Sequence, residues 1–239
     1  MFKYETIAEE IQSRIQSGEY RADEKLPQEM ELCRQYDASR ITIREALDLL
    51  VNRGLITRRR GAGTYVKAIA GEASDTEKFA RSQQFGGFTS DMRGRDVTTE
   101  VQQFTLLRAP KHVAERLQVP QAAFVCYICR TRLVDRKPHV VEYTYMPTDF
   151  IPGITEDVVK GSIYGYIEQT LKLKIKSAHR TVRADMPTEE ERIWLAIGQE
   201  DMPILEVEQT GYLDDGRIFE YSKARHRADC FELHTVSIH

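Results

Sequence analysis

The chain has little of what disulfide frameworks and membrane spans require. Its 239 residues include only four cysteines, too few and too scattered for a disulfide scaffold at this length. No apolar run approaches the roughly 18 residues that a membrane-spanning helix needs. The N-terminal MFKYETIAEEIQ has the spacing of an amphipathic helix and no hydrophobic signal core, so we expect a cytoplasmic protein.

Motifs for catalysis and metal binding are also lacking. Cys126 and Cys129 form a C-x-x-C pair, but the surrounding AAFVCYICRTRLV is typical of a strand. Residues three apart on a strand point to opposite faces, so we interpret this pair as buried structural thiols. The histidines have no metal-ligand spacing, and the sequence contains neither a nucleophile elbow nor a P-loop. The sequence therefore predicts no catalytic site, no metal and no cofactor.

Negative charge slightly exceeds positive charge, although one segment is clearly basic. The net charge is −3, yet between Arg34 and Lys67 eight basic residues stand against three acidic ones. Phosphate binding depends on a local basic surface rather than on the total charge. The segment that contains the clearest structural motif is therefore also the one suited to nucleic acid.

That motif is a helix followed by a basic hairpin, SRITIREALDLLVNRGLITRRRGAGTYV, in residues 39–66. Apolar residues recur at helical spacing from Ile43, so one face of the helix points to a core. Ser39 stands at the N-cap position. Arg40 and Arg44 lie one turn apart at the exposed N-terminal end, which is the end that a recognition helix inserts into the major groove.

The flanking segments complete a winged helix-turn-helix. Helices are predicted at about residues 4–17 and 28–36, and two strands, LITRRR and GTYVK, are joined by Gly61-Ala62-Gly63. We assign residues 1–67 to this domain. The small, polar segment 68–83 is interpreted as a linker that acts as a hinge.

Residues 84–239 are predicted to form an α+β domain with one central antiparallel sheet. Strand-like stretches are separated by hairpin turns such as Asp135-Arg136-Lys137, without a βαβ rhythm. The predicted strands are 97–107, 123–134, 139–146, 174–184, 204–213 and 217–227, and the predicted helices are 109–117, 162–171 and 188–197.

One group of charged residues on this sheet suggests an anion site. Arg130 and Arg132 are two apart and share a face of one strand, and the following turn is expected to bring Glu142 roughly opposite Arg132. Two guanidinium groups beside one carboxylate can bind an anion. The alternative is a cross-strand ion pair on a solvated sheet face.

The N-terminal residues also resemble a family. Leu26-Pro27, Ser39-Arg40-x-Thr42-x-Arg44-x-Ala46-Leu47, Gly54-Leu55-Ile56 and Arg60-Gly61-x-Gly63-Thr64-Tyr65-Val66 occur in this order. They resemble the DNA-binding domain of the GntR superfamily of bacterial transcription regulators. The resemblance implies that Arg40 and Arg44 contact guanine edges or phosphates, and that Gly61 approaches the minor groove. The implied DNA-binding residues are Ser39, Arg40, Thr42, Arg44, Arg60, Gly61 and Gly63.

One residue departs from that pattern, because Met30 stands where many members carry a base-reading arginine. A methionine cannot donate a hydrogen bond, so one base of the operator is expected to be read less stringently or differently. The alternative for the arginines themselves is that they are ordinary solvated charges.

The second domain carries a resemblance of its own. Arg130-x-Arg132, Glu142-Tyr143, Ser162-Ile163-Tyr164 and Glu220-Tyr221 before Arg225-His226-Arg227 occur in this order. They look like the effector-binding UTRA domain of the HutC subfamily, whose fold resembles chorismate lyase, and are closest to repressors of trehalose and N-acetylglucosamine utilisation, which bind phosphorylated sugars. The implied effector-binding residues are Gly87, Phe88, Thr89, Arg130, Arg132, Glu142, Ser162, Tyr164, Glu220 and His226.

Two of these positions differ from the N-acetylglucosamine type. The positions of Gly87 and His226 are serine and tyrosine there, so a possible phosphate hydroxyl is missing and the sugar end is altered. Thr89 and the amides that start the next helix can supply donors instead. The stretches SIYGYIE and EYSKARHRADCFEL look more like the trehalose type.

Together these features predict a ligand-responsive transcription regulator, a repressor of a sugar-uptake or catabolic operon and not an enzyme. Its predicted partners are a palindromic double-stranded DNA operator, a small-molecule effector that is a phosphorylated sugar, and a second copy of the chain in a homodimer, with no membrane. The alternatives are a DNA-binding dimer without a ligand response, a regulator that responds to a non-sugar carboxylate, and an enzyme on a chorismate-lyase-like fold.

Overall fold

The computed structural model describes residues 2–67, 87–88, 92, 94–198 and 201–233. The chain divides into two compact units, a smaller one at the N-terminal end and a larger one, Phe85–Glu232. The predicted linker 68–83 and Thr89 lie outside the described residues. The domain boundaries at residues 67 and 84 stay predictions. None of the helices in the described ranges has both the length and the apolar character that a membrane-spanning helix requires.

The N-terminal unit is the predicted winged helix-turn-helix. Ile43 and Leu47 of the third helix are buried, as the helical spacing predicts, and they pack against Ile7 and Ile11 of the first. The elements are α1 (Lys3–Gln16), α2 (Glu29–Gln35), α3 (Arg40–Asn52), β1 (Ile56–Arg59) and β2 (Gly63–Val66).

The wing is anchored by a residue outside the hairpin. β1 and β2 pair antiparallel, and Lys25 forms a further bridge to Tyr65. Gly63 has φ +118°, and a Cβ there would lie 2.6 Å from Cε of Lys25. Glycine is therefore favoured by the backbone conformation, and the lysine stem lies against the space that a Cβ would take.

The larger unit contains a six-stranded antiparallel sheet in the order β3-β4-β5-β8-β7-β6, which confirms the α+β prediction. Its strands are β3 (Val97–Arg108), β4 (Phe124–Val134), β5 (Lys137–Pro147), β6 (Ile175–Asp185), β7 (Ile204–Leu213) and β8 (Ile218–Arg227). Among the described residues, its helices with defined bounds are α4 (Lys111–Leu117), α5 (Glu156–Lys160), α6 (Ile163–Gly165), which continues as a π-helical turn Tyr166–Thr170, and α7 (Glu189–Trp194).

The hairpin between β4 and β5 differs from the predicted register. Asp135 and Arg136 both have positive φ, 49° and 66°, as a two-residue hairpin turn of type I′ requires. A register shift between Arg132 and Leu133 then places Glu142 directly opposite Arg130. The expected position opposite Arg132 is therefore wrong, because the chain turns at Asp135 and Arg136, before Lys137. The bulge only shifts Glu142 by one residue, from opposite Cys129 to opposite Arg130.

The two cysteines of the C-x-x-C pair point to opposite faces of the sheet, as predicted. Cys126 belongs to a core cluster with Ile163 and Ile167, whereas Cys129 packs with Leu195. Both are free thiols, and burial raises their pKa values to about 11 and about 12. They are inert structural residues at neutral pH.

Candidate DNA-reading surface and effector site

The N-terminal end of α3 is ordered by Ser39. Its hydroxyl accepts a hydrogen bond from the backbone N–H of Thr42 at 3.2 Å, and the two hydroxyl oxygens lie 2.9 Å apart. Ser39 and Arg40 are exposed. The predicted N-cap is confirmed. The first turn of the helix, with the guanidinium group of Arg40, is exposed to solvent.

The other arginine of this helix is held in place by neighbouring elements. Nε of Arg44 donates to Oε2 of Glu29 on α2 at 3.0 Å. One turn further along α3, Asp48 accepts from Arg58 of the wing at 2.5 Å. The helix is therefore connected to α2 on one side and to the wing on the other by charged side chains that stay at the surface.

The wing presents the remaining predicted DNA-binding residues. The guanidinium of Arg59 lies 4.5 Å from the centre of the Tyr65 ring, which orients it by a cation–π contact. Arg60 and Gly61 are exposed at the tip of the hairpin. The structure thus brings the arginines of α3 and of the wing onto one small unit.

In the larger unit, Arg130 is buried, and hydrogen bonds from two of its nitrogens fix its position. Its Nε donates to Oε2 of Glu142 at 2.7 Å, and its Nη1 donates to the carbonyl oxygen of Val159 at 2.6 Å. Only 6% of the residue is exposed, so the pair does not lie on a solvated sheet face. Arg130 and Glu142 thus form the cross-strand ion pair of the alternative interpretation, but its solvated sheet face is wrong.

Arg132 lies beside this pair with 2% of its surface exposed. Its guanidinium lies 5.2 Å from the centre of the Phe88 ring. Burial lowers the pKa of Arg132 to about 10, with Glu142 opposing the shift, so the group still carries its charge at neutral pH. Burial favours the neutral form of Glu142 too, but Arg130 and Arg132 more than offset it, and the pKa of this carboxyl is lowered.

Gly87 approaches the same side of the unit. A Cβ at this residue would lie 3.0 Å from Cδ2 of Tyr164, and φ is +72°. The hydroxyl of Tyr164 accepts from Nε2 of Gln209 at 3.0 Å. Glycine at residue 87 therefore lets the backbone lie against the tyrosine ring.

Glu220 is the centre of a buried polar network. Oε1 accepts from Nε2 of Gln209 at 3.0 Å and from the hydroxyl of Ser222. Burial raises the pKa of Glu220, while its hydrogen bonds with Ser222, Tyr164 and Gln209 oppose the rise. Gln209 and Ser222 were not predicted from the sequence. The contact of Gln209 with Glu220 depends on the pairing of β7 with β8, whereas Ser222 lies two residues after Glu220 on the same strand.

The remaining two predicted effector residues play different parts. Burial lowers the pKa of His226 to about 4, and its ring stacks on Phe231 with centroids 4.0 Å apart, so it is neutral at neutral pH. Ser162 caps α6, since its hydroxyl accepts from the backbone N–H of Gly165 at 3.1 Å.

The face of the sheet that packs against α5 and α6 therefore combines guanidinium groups, carboxyl groups and an aromatic ring. Glu142 pairs with Ala224 of β8, and Glu220 lies four residues earlier on that strand, so both carboxyls are on this face. Buried, charged groups of both signs at one place are typical of a ligand site. A winged helix-turn-helix joined to such a sheet defines the class of ligand-responsive transcription regulators.

The comparisons with known proteins agree with this class. Residues 3–66 match the family of bacterial regulatory proteins called the gntR family, and residues 92–232 match the UTRA domain. The chain belongs to the GntR family of transcription regulators, with a UTRA domain, as the resemblance implied.

Two curated relatives and one solved structure cover nearly the whole chain. The HTH-type transcriptional regulator GmuR of Bacillus subtilis is 40% identical over 238 residues, with 100% of this chain and 99% of the relative covered. The mannosyl-D-glycerate transport/metabolism system repressor MngR of Escherichia coli is 34% identical, with 98% and 95% covered. The structure of the possible transcriptional regulator YydK of Bacillus subtilis has a TM-score of 0.79 at 25% identity and covers 100% of both chains.

Proposed function

We propose that the chain is a repressor of an operon for the uptake or breakdown of a sugar, and that a phosphorylated sugar releases it from DNA. It binds a palindromic operator as a homodimer in the cytoplasm. The observation that carries the ligand class is the buried pair of guanidinium groups, Arg130 and Arg132, beside Glu142. MngR is named as the repressor of a system for a sugar derivative, which supports an effector of this kind.

The DNA-reading residues we propose are Ser39, Arg40, Thr42, Arg44, Arg60, Gly61 and Gly63. Arg40 and Arg44 stand one turn apart on α3, and a guanidinium can bond O6 and N7 of guanine in the major groove. The Arg40→Ala variant should lose sequence preference together with affinity, measured by fluorescence anisotropy on the operator and on a scrambled duplex. An unchanged ratio of the two affinities would remove Arg40 from the reading surface.

The effector-binding residues that we propose include positive and negative groups, and each sign suits a different part of a phosphorylated sugar. Arg130 and Arg132 suit the phosphate, whereas Glu142 and Glu220 suit sugar hydroxyls, which donate hydrogen bonds to carboxylates. His226, Tyr164 and Phe88 supply flat surfaces for the ring. Gly87, Thr89 and Ser162 complete the proposed set.

A ligand screen tests the effector class. Trehalose, glucosamine and mannose phosphates are compared with the free sugars and inorganic phosphate, and the melting temperature is followed by the fluorescence of Trp194, the only tryptophan. A phosphorylated sugar should raise the melting temperature and weaken the operator complex. If no phosphorylated sugar does either, the chain is a DNA-binding dimer without this response.

A matched pair of variants connects the response to the site. Arg132→Lys keeps the positive charge but loses the planar fork that binds phosphate with two parallel hydrogen bonds, so it should weaken the response at least tenfold. Arg217→Lys changes an exposed arginine of the same unit, whose partner Asp215 is also at the surface, and should respond like the unaltered chain.

A non-sugar carboxylate is the second candidate, since guanidinium groups bind carboxylates as they bind phosphates. Glycerate and citrate belong in the same screen for this reason. A shift with these acids and none with sugar phosphates would favour that class.

A further inference from the structure

Two large apolar side chains are exposed on the helices of the DNA-binding unit. Ile41, in the first turn of α3, is 71% exposed, and Met30, in the first turn of α2, is 50% exposed. Neither helix needs them for its core, because α3 packs through Ile43 and Leu47 and α2 through Leu32. Their exposure costs hydrophobic free energy that burial against a partner would recover.

The positions of these residues identify the surface to which they belong. Ile41 lies one turn before Arg44 on α3, and the guanidinium of Arg44 is paired with Glu29, the residue before Met30. Asp48, two turns after Ile41 on the same stripe, is paired with Arg58 of the wing. Ile41 therefore lies on the exposed stripe of α3 that makes both ion pairs, and Met30 directly follows the α2 residue that pairs with this stripe.

The chemistry of DNA limits what these side chains can contact there. A recognition helix in the major groove meets base edges with its N-terminal residues. Those edges present hydrogen-bond donors and acceptors, which isoleucine and methionine cannot engage, and one apolar group, the C5-methyl of thymine. The apolar stripe beside Arg40 and Arg44 therefore complements a thymine next to the guanine that a guanidinium reads.

We propose that Ile41, with Met30 beside it, is a specificity-determining contact for thymine methyl groups in each operator half-site. The inference rests on the proposed DNA-reading role of α3 and adds to it the base that is read without hydrogen bonds. Each operator half-site then requires thymine, and not merely any base, at a position next to a contacted guanine.

The experiment removes single methyl groups from the DNA. The tightest-binding duplex is selected from a random library with the full chain, and each thymine is replaced in turn by deoxyuridine, which lacks only the C5-methyl. At the position that Ile41 contacts, affinity should fall about fourfold, the value of one buried methyl group. In Ile41→Ala the same replacement should have little effect, because the methyl no longer has an apolar partner. Met30→Ala is tested in the same way for the neighbouring position.

The control is Ile193→Ala, which removes the same side chain from α7 of the larger unit, where it is 77% exposed. This variant should keep the thymine dependence of the unaltered chain. The inference is overturned if no deoxyuridine replacement weakens binding, or if the position-specific loss persists in both Ile41→Ala and Met30→Ala. Failure to select any duplex would instead overturn the DNA-reading role, and this inference with it.

Discussion

Two carboxyl groups on one face of the large sheet experience opposite electrostatic environments. Glu142 is partly buried beside Arg130 and Arg132, and its pKa is lowered. Glu220 is buried among neutral donors and near the charge of Glu142, and its pKa is raised. The difference between the two pKa shifts arises from the neighbouring side chains. Arginines of β4 flank Glu142, whereas hydroxyl and amide groups flank Glu220.

Substitution of each carboxyl should therefore change stability with opposite pH dependence. The lowered pKa means that Glu142 stabilises the fold above about pH 4.5, its ordinary pKa, and that this contribution is lost as the pH falls through the folded value. Glu142→Gln should then cost about 3 kcal/mol at pH 7, because it leaves buried guanidinium groups without a counter-charge, and less at pH 4. Urea unfolding followed by Trp194 fluorescence measures both values.

Glu220→Gln is the matched variant, and its amide oxygen can still accept from Gln209 and Ser222. Because the pKa of Glu220 is raised, the wild-type fold loses stability as the pH rises through the folded value. The variant should therefore gain stability relative to the wild type between pH 4 and pH 7. The same pH trend for both variants would show that the two carboxyls do not differ in environment.

Some contacts of these side chains could be predicted from the sequence, and others could not. The strand period places Arg130 and Arg132 on one face, and burial confirms them as a pair. The partner of Glu142 was predicted incorrectly because the sequence does not fix which residues of Asp135-Arg136-Lys137 form the turn, and the chain turns at the first two. Gln209 carries no local signal either, since it meets Glu220 only when β7 and β8 pair. Ser222 lies two residues after Glu220 on β8, so the strand period alone could have found it.

The N-cap residue of α3, Ser39, affects both the stability of this helix and the surface that we propose binds DNA. Ser39→Ala should cost about 1 kcal/mol of stability in the N-terminal unit, because the amide of Thr42 loses its acceptor. Ser39→Asp should retain stability, since a carboxylate also accepts this bond and favours the helix N-terminus, but should bind DNA several-fold more weakly through repulsion by phosphates. Circular dichroism melting and operator affinity measure the two effects. An aspartate variant that binds like the wild type would show that this helix end does not face DNA.

Helix α7 is attached to the opposite face of the sheet by buried charge. Arg225 forms ion pairs with Glu191 of α7 at 2.7 Å and with Glu206 of β7 at 2.5 Å, and both carboxylates are almost fully buried. Arg225→Ala should cost about 3 kcal/mol or more, because a buried carboxylate is left without its partner. Arg217→Ala, which breaks the exposed pair with Asp215, should cost less than about 1 kcal/mol. Equal costs in urea unfolding would mean that α7 is attached by its apolar contacts alone.

Helices and strands could be predicted from the sequence where the hydrophobic pattern was long enough to show its period. The six strands are each bounded by turn residues, and their positions are confirmed to within a few residues. The five residues of α5 are too few to show helical periodicity, and this helix was missed. The predicted helix 162–171 is a short α-helical turn that continues as a π-helical turn, a change of hydrogen bonding that side-chain spacing does not indicate.

At the scale of the whole molecule, the proposed homodimer implies that two recognition helices bind one operator. Connecting two heads makes the second contact intramolecular, so a duplex with both half-sites should bind about 100-fold more tightly than a duplex with one. Inserting about five base pairs between the half-sites turns one of them to the far side of the helix and should abolish most of the gain. Fluorescence anisotropy on the three duplexes measures these ratios, with Arg40→Ala as the control for loss of reading. Equal affinity for duplexes with one and with two half-sites would show that only one DNA-binding unit contacts the operator. The proposal of a palindromic operator would then be wrong.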